Sequence, residues 1–149
     1  MILISHRGNI NGRMPNLENS PEFIDAAIQK KYDVEIDLRT HNGKLFLGHD
    51  EPQYEVDIDW LKSRSDYLWI HGKDRESFET CLENKLHTFW HDTDDYTITS
   101  KNYVWAYPGK QPIKGSIAVM PERSTDDVSV CKGICSDVIK KYKDEIVQA

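Results

Sequence analysis

Val34-Glu35-Ile36-Asp37-Leu38-Arg39-Thr40-His41-Asn42-Gly43-Lys44-Leu45-Phe46-Leu47-Gly48-His49-Asp50 is the stretch on which the fold turns. Val34, Ile36 and Leu38 alternate with Glu35, Asp37 and Arg39, the period of a strand. One face is apolar and the other carries two carboxylates and a guanidinium. Asn42-Gly43 is a hairpin signal. Lys44 to Gly48 then returns as a second strand and delivers His49-Asp50.

Working outward, Ile2-Leu3-Ile4 is a short strand that ends at His6-Arg7-Gly8. The polar segment from Asn9 to Asn16 reads as a loop. Ser20 suits an N-cap and Pro21 the first helical position, with Phe23, Ile24, Ala27 and Ile28 on one apolar face. Asp57 or Asp59 caps a short helix through Trp60 and Leu61. Tyr67 to Ile70 is a strand that ends at His71-Gly72-Lys73. Asp74 caps a helix with Phe78, Cys81 and Leu82 on one side. Thr88-Phe89-Trp90 leads to His91-Asp92, and Tyr103-Val104-Trp105 and Ile117-Ala118-Val119 are further strands. Gly133-Ile134-Cys135 leads to Ser136-Asp137, and Val138, Ile139, Tyr142 and Ile146 mark a terminal helix.

One theme repeats: an apolar strand, then polar residues at its C-terminal end. Strands alternating with helices imply an α/β protein with a parallel sheet. A closed parallel barrel gathers its chemistry at the C-terminal ends of its strands. The rival, an open doubly wound sheet, lacks a Gly-rich loop after the first strand. A full eightfold barrel needs about 200–250 residues, and residues 90–135 leave little room for helices. The expectation is a single domain over residues 1–149, a reduced TIM-like (β/α) barrel with several outer helices shortened or replaced by loops.

The composition, 38% hydrophobic and 10% aromatic, is that of a globular protein. A formal net charge of −6 disfavours nonspecific binding to nucleic acid or anionic membrane, though a local site can still be cationic. Cys81, Cys131 and Cys135 have no tight metal spacing and read as free thiols of a reducing compartment. Met1 to Ser5 lead straight into His6, and no apolar run approaches the ~20 residues of a membrane span. A cytoplasmic protein that does not engage a membrane is expected. The sequence sets no oligomeric state.

Glu35 and Asp37, two apart on a strand, point the same way. Paired carboxylates repel unless a cation or protons neutralise them, and a hard ion such as Mg²⁺ or Ca²⁺ does so directly. His6 and His49 are candidates for a general acid and base. Arg7 offers a planar fork for phosphate. Glu18 is a further candidate ligand, and Asn19 can orient a neighbour. Each residue also has a plainer reading: a solvated strand face for the carboxylates, a surface ion pair for Arg7, and the shape of a helix entry for Glu18 and Asn19.

Taken together, these motifs resemble those of the glycerophosphodiester phosphodiesterase family. The family's His-Arg-Gly, Glu-Asn-Thr, Glu-x-Asp and His-Asp signatures read here as His6-Arg7-Gly8, Glu18-Asn19-Ser20, Glu35-Ile36-Asp37 and His49-Asp50. The resemblance is strongest over residues 2–52. It implies metal-dependent hydrolysis of a small phosphodiester, glycerophosphodiester-like or sugar-linked. The matching histidines would be the acid-base pair, the matching Glu and Asp the metal ligands, and the arginine the phosphate contact. On the third strand the family's Glu-x-Lys becomes His71-Gly72-Lys73. Lys73 keeps the phosphate contact, while His71 replaces a carboxylate ligand; Mg²⁺ or Ca²⁺ stays the first expectation, and the imidazole admits Mn²⁺ or Zn²⁺. Gly133 to Asp137 looks like the family's closing strand. His91, Trp105 and Glu122, with Asn19, are candidates for a substrate pocket. Two other readings compete: a phosphodiester-binding module without turnover, and a structural protein with an incidental polar cluster.

Overall fold

The computed structural model describes residues 1–148. Its strands are β1 (Ile2–His6), β2 (Asp33–His41), β3 (Lys44–Leu47), β4 (Tyr54–Val56), β5 (Leu68–Gly72), β6 (Thr88–Phe89), β7 (Tyr96–Ile98), β8 (Val104–Ala106), β9 (Ile117–Val119) and β10 (Gly133–Ser136). The helices are α1 (Pro21–Gln29), α2 (Ile58–Ser63), α3 (Arg75–Glu83) and α4 (Ile139–Gln148), with one 3₁₀ turn at Pro121–Arg123. The three-residue strands β4 and β7 were not anticipated from the sequence.

All ten strands belong to one mixed sheet. Its parallel path runs β6-β5-β2-β1-β10-β9-β8, and β7 joins β8 antiparallel. The β3–β4 hairpin extends the C-terminal half of β2. The sheet curls until side chains from its far ends touch: Phe89 of β6 and Trp105 of β8 have ring centroids 4.6 Å apart. Beyond the ladder ends, Ser100 N donates to Thr88 O (2.8 Å) and Thr88 N donates to Ser100 Oγ (2.9 Å).

The alternation read from β2 explains the two cores. Val34, Ile36 and Leu38 point outward and pack with Ile24 and Ala27 of α1, Leu61 of α2 and Cys81 of α3. Each such aliphatic side chain, removed from water, contributes about 1.5–3 kcal/mol. Ile4, Trp69, Phe89, Trp105, Ile117 and Cys135 fill the concave side. Ser20, Asp57 and Asp74 accept from the backbone N–H of Phe23, Trp60 and Ser77, capping α1, α2 and α3. Leu82, expected on the buried side of α3, is exposed; Ser77 and Cys81 take that side. Ser77 belongs there because its hydroxyl donates to Leu38 O (3.0 Å) while completing the capping box with Asp74. Ile146 of α4 is likewise exposed, and Ile139 anchors that helix.

Between β6 and β10 the only helical segment among the described residues is the 3₁₀ turn, as the shortage of chain there requires. No helix among the described residues is long and apolar enough to cross a membrane. Cys81 and Cys135 are buried, Cys131 is partly exposed, and all three are free.

At the opposite end of the strands from the rim where β1 delivers His6, buried His87 bonds Thr99 Oγ1 through Nε2 (2.7 Å) and lies tilted against Trp69, ring centroids 4.1 Å apart. Burial pushes its imidazole down to about 4. Below the ordinary value near 6.5 the unfolded chain takes up a proton that the folded chain does not. Stability from this residue therefore falls as pH drops from about 6.5 to about 4, by up to roughly 3 kcal/mol. Urea unfolding midpoints of the wild type and His87→Gln, measured across that window, are expected to converge as pH falls; parallel curves would contradict it.

Candidate active site

Strand register assembles the site. His6 of β1 pairs with Glu35 of β2, and Asp37 of β2 pairs with His71 of β5. Neighbouring residues in a parallel ladder face the same side, so all four side chains meet on the concave face at one rim. Glu35 (2% exposed) and Asp37 (0%) are removed from solvent, which excludes a solvated strand face.

Glu35, Asp37 and His71 each offer an atom within 4.8 Å of the others, a geometry able to hold a metal ion. Glu35 Oε1 and Asp37 Oδ1 are buried without hydrogen-bond partners. His71 Nδ1 lies 3.4 Å from Asp37 Oδ1 and 4.0 Å from Glu35 Oε2. Its Nε2 faces His91 O at 3.4 Å, which leaves Nδ1 as the ring atom on the cluster, free to ligate once a cation displaces its proton. Burial, then the adjacent Asp37, push the Glu35 carboxyl well above the usual carboxylate range. Burial opposes charge on Asp37 too, but His71, Arg7 and Asn19 outweigh it and hold that carboxyl well below the usual range. Without a cation, then, one carboxylate is charged and the other favours its proton.

Asn19 is the clamp on Asp37. Its Nδ2 donates to Asp37 Oδ2 (2.9 Å) and its Oδ1 accepts from Asp37 N (3.0 Å). It thus orients a cluster residue, and it also lines a cavity of the cleft, as expected of a pocket residue. Asn19 and Arg7 both adopt left-handed backbone (φ 66° and 59°), a conformation asparagine tolerates and arginine rarely takes. Arg7 Nε lies 3.0 Å from Asp37 Oδ2 and its Nη1 donates to Glu18 Oε1 (3.2 Å).

Glu18 departs from its expected place as a metal ligand. It is buried, but it accepts from Arg7, from Asn9 Nδ2 (3.0 Å) and from Arg13 Nε (3.2 Å). These donors occupy both its oxygens, and it stands outside the three-residue cluster. Glu122 is also displaced from the proposed pocket. Its carboxylate accepts from Ser136 Oγ (2.7 Å) and Tyr142 Oη (3.0 Å), tying β10 to α4. Arg123, the next residue, lines the cleft instead.

His6 Nδ1 hydrogen-bonds Asp137 Oδ1 at 2.7 Å, and Asn9 Nδ2 donates to the same oxygen (2.9 Å). Nε2 of His6 is left facing the cluster, 3.8 Å from Glu35 Oε1. His49, delivered by the β3–β4 hairpin, repeats the pattern with Nδ1 bonded to Asp50 Oδ1 at 2.8 Å. Partial burial and the nearby Arg7 guanidinium lower the His49 imidazole below its ordinary value. The Arg39 guanidinium bonds the carbonyls of Gly48 and His49 and holds the loop over the rim.

A cavity of about 430 Å³ and another of about 320 Å³ adjoin at His6, Arg7, His49 and Arg123, which line both. Lys73, His91 and Trp105 line the second, with Trp105 in its buried floor. Asp137, Asn9, Arg13, Arg123 and Tyr107 are site residues that sequence reasoning did not assign. Asp137 carried the usable signal, since it ends a strand as His6 and His71 do.

Gly48 shows why the loop must begin with glycine. A Cβ at this residue would lie 1.9 Å from the carbonyl oxygen of Glu51. Gly48→Ala is expected to cost about 1–3 kcal/mol in urea unfolding. It should also lower turnover of a phosphodiester at least ~10-fold by displacing His49. Metal affinity, set on β2 and β5, should stay within about threefold in calorimetric titration; a parallel loss of metal binding would contradict this division.

Comparison of the chain with protein-family models, with curated proteins and with solved structures finds no match.

Proposed function

We propose that this chain is a metal-dependent phosphodiesterase on a reduced TIM-like (β/α) barrel, with chemistry like that of the glycerophosphodiester phosphodiesterases. One observation carries the reading: the buried Glu35–Asp37–His71 cluster faces the same rim as an Asp137-held His6.

The residues present fit a divalent ion. Two buried carboxylate oxygens lack partners, and the donor set of two carboxylates and one imidazole suits Mg²⁺ or Ca²⁺, and Mn²⁺ or Zn²⁺ better still. Glu35, Asp37 and His71 would hold it. When bound, the ion supplies Lewis-acid neutralisation of phosphate charge. Arg7 and Lys73 stabilise the charge that grows on the phosphate oxygens. His6 and His49 both have Nδ1 engaged by a carboxylate and so present Nε2 to the substrate. One takes the proton of the attacking hydroxyl while the other gives a proton to the leaving alkoxide. The substrate is a small phosphodiester, and neither nucleic acid nor membrane is required.

A second reading, a phosphodiester-binding module without turnover, is favoured by Glu18. With that residue committed to Arg7 and Arg13, only three ligands remain. Hydrolysis of a glycerophosphodiester panel by metal-stripped protein, with Mg²⁺, Ca²⁺, Mn²⁺ or Zn²⁺ restored, separates the two. Turnover that needs metal and His6 supports the enzyme. Metal-dependent thermal stabilisation by the same diesters, with no product, supports the binding module. Full activity in both His6→Ala and His49→Ala would sink the acid-base assignment.

A further inference from the structure

Four residues line both cavities of the cleft: His6, Arg7, His49 and Arg123. The proposed reaction uses the first three and leaves Arg123 without a role. Its guanidinium lies one carboxylate away from the acid-base pair. Nη2 is 3.5 Å from Asp137 Oδ2, and Asp137 Oδ1 bonds His6 Nδ1 at 2.7 Å. The Arg123 contact is long and made by a single nitrogen. A guanidinium committed to a carboxylate looks different: Arg64 grips Asp25 through Nε at 2.6 Å and Nη2 at 2.9 Å. Arg7 is likewise engaged, by Asp37 and Glu18. Arg123 is therefore the least committed cation at the junction, and its side chain, 58% exposed, is open to a ligand. The backbone beneath it is pinned. Its 3₁₀ turn, Pro121–Arg123, starts from Met120 in left-handed backbone (φ 48°, ψ 51°). Such a conformation is unfavourable for a residue with a side chain and persists where the surroundings impose it. Met120 N donates to Cys135 O (2.8 Å), and the Glu122 carboxylate accepts from Ser136 Oγ of β10 and Tyr142 Oη of α4.

We infer that Arg123 is a catalytic residue that binds a nonbridging oxygen of the substrate phosphate where the two cavities join, and that Glu122 is the positioning residue that aims it. This rests on the phosphodiesterase reading above. Arg7 follows the end of β1 and Arg123 the end of β9, on either side of β10 in the sheet. A phosphate at the junction thus lies between two guanidinium groups, with His6 and His49 beside it. The planar fork of arginine matches phosphate oxygens. Held on an anchored turn, it needs no reordering as charge grows on them. The phosphate oxygen takes the place of Asp137 Oδ2 at Nη2, while Asp137 Oδ1 keeps its bond to His6. Asp50 and Glu51, the exposed acids of the larger cavity, sit on the His49 loop, and Asp50 is engaged by the His49 ring.

Hydrolysis of the best diester of the glycerophosphodiester panel is the first readout. Arg123→Ala should lower kcat/KM about 10–100-fold, the contribution of a hydrogen bond to a charged group. Arg123→Lys keeps the charge without the fork and should recover part of the loss. Because the side chain is largely exposed, both variants should unfold at the wild-type urea midpoint and bind Mn²⁺ within about threefold of wild type. Glu122→Ala should lower kcat/KM about tenfold in the wild-type background, and about twofold or less in Arg123→Ala. Tyr142→Phe removes one of the two anchors of Glu122 and is the second variant should Glu122→Ala fail to fold; its smaller loss should also vanish in Arg123→Ala. Unchanged kcat/KM in Arg123→Ala overturns the phosphate role, and additive losses in the double variants overturn the positioning role. If no diester is cleaved with any metal, the enzymatic reading fails on its own, and inorganic phosphate then decides. Calorimetric titration of Mg²⁺-restored wild type should show phosphate binding that Arg123→Ala weakens about tenfold. Equal affinity in the variant, or no binding to the wild type, overturns the inference.

Discussion

Asp37→Asn is expected to lose metal affinity and stability together, whereas Glu35→Gln loses metal affinity alone. The two carboxylates sit two residues apart on one strand and are equally buried, so sequence position does not distinguish them. Their surroundings do. Asp37 is the anion around which Arg7, Asn19 and His71 are arranged. Taking its charge away leaves a mostly buried guanidinium with only Glu18 as counter-ion, a loss of about 3 kcal/mol by the usual cost of breaking a buried pair. Glu35 is resisted by burial and by Asp37, so its neutral amide analogue should leave the metal-free protein within about 1 kcal/mol of wild type. Both variants remove a candidate ligand and should weaken Mn²⁺ binding at least ~100-fold. Urea unfolding of chelated protein and calorimetric Mn²⁺ titration read the two effects separately. Equal stability of the two variants, or retained Mn²⁺ affinity in either, would refute this account.

Removing Asp137 should disable His6 without touching the metal. The carboxylate accepts a hydrogen bond from His6 Nδ1 and leaves Nε2 facing the cluster. His6→Ala is expected to lower kcat by about 10²–10⁴, the range of a lost acid or base. Asp137→Ala should approach that loss, because the imidazole becomes free to take the other tautomer and rotate. Asp137→Asn keeps an oxygen that accepts from both His6 and Asn9 but lacks the charge that favours an imidazolium, so it should recover only part of the rate. Mn²⁺ affinity is expected to change less than about threefold in all three. Nitrogen chemical shifts of His6 report the tautomer directly. Wild-type kcat in Asp137→Ala, or an unchanged His6 tautomer with reduced kcat, would remove Asp137 from this role.

The parts of the site that were legible from the sequence are those made by local pattern. Strict alternation in β2 put Glu35 and Asp37 on one face, and Asn42-Gly43 placed His49 on a returning hairpin. Caps at Ser20, Asp57 and Asp74 are contacts over three residues and were equally readable. What was missed depends on chain closure. Asp137 lies 131 residues from His6, and only the pairing of β1 with β10 brings them together. Glu18 looked like a ligand because nothing local announced that Arg7 and Arg13 would both turn onto it. Glu122 and Arg123 are adjacent, and the direction of a single 3₁₀ turn decides which of them reaches the cleft. Strands β4 and β7 are too short to show a period.

The join between β6 and the turn after β7 has a mechanical consequence. Everywhere else around the curl, strands are laced by ladders of backbone bonds; here the two ends are held by Ser100 and by the His87–Thr99 contact. Phe89 and His91 stand on one bank of this seam, Trp105 and Tyr107 on the other. The smaller cavity therefore straddles the line of the sheet closed by side chains, while the Glu35–Asp37–His71 cluster at its edge rides on β2 and β5, which are laced by a backbone ladder. A shortened chain thus closes its curl with side chains where a full barrel would use a backbone ladder.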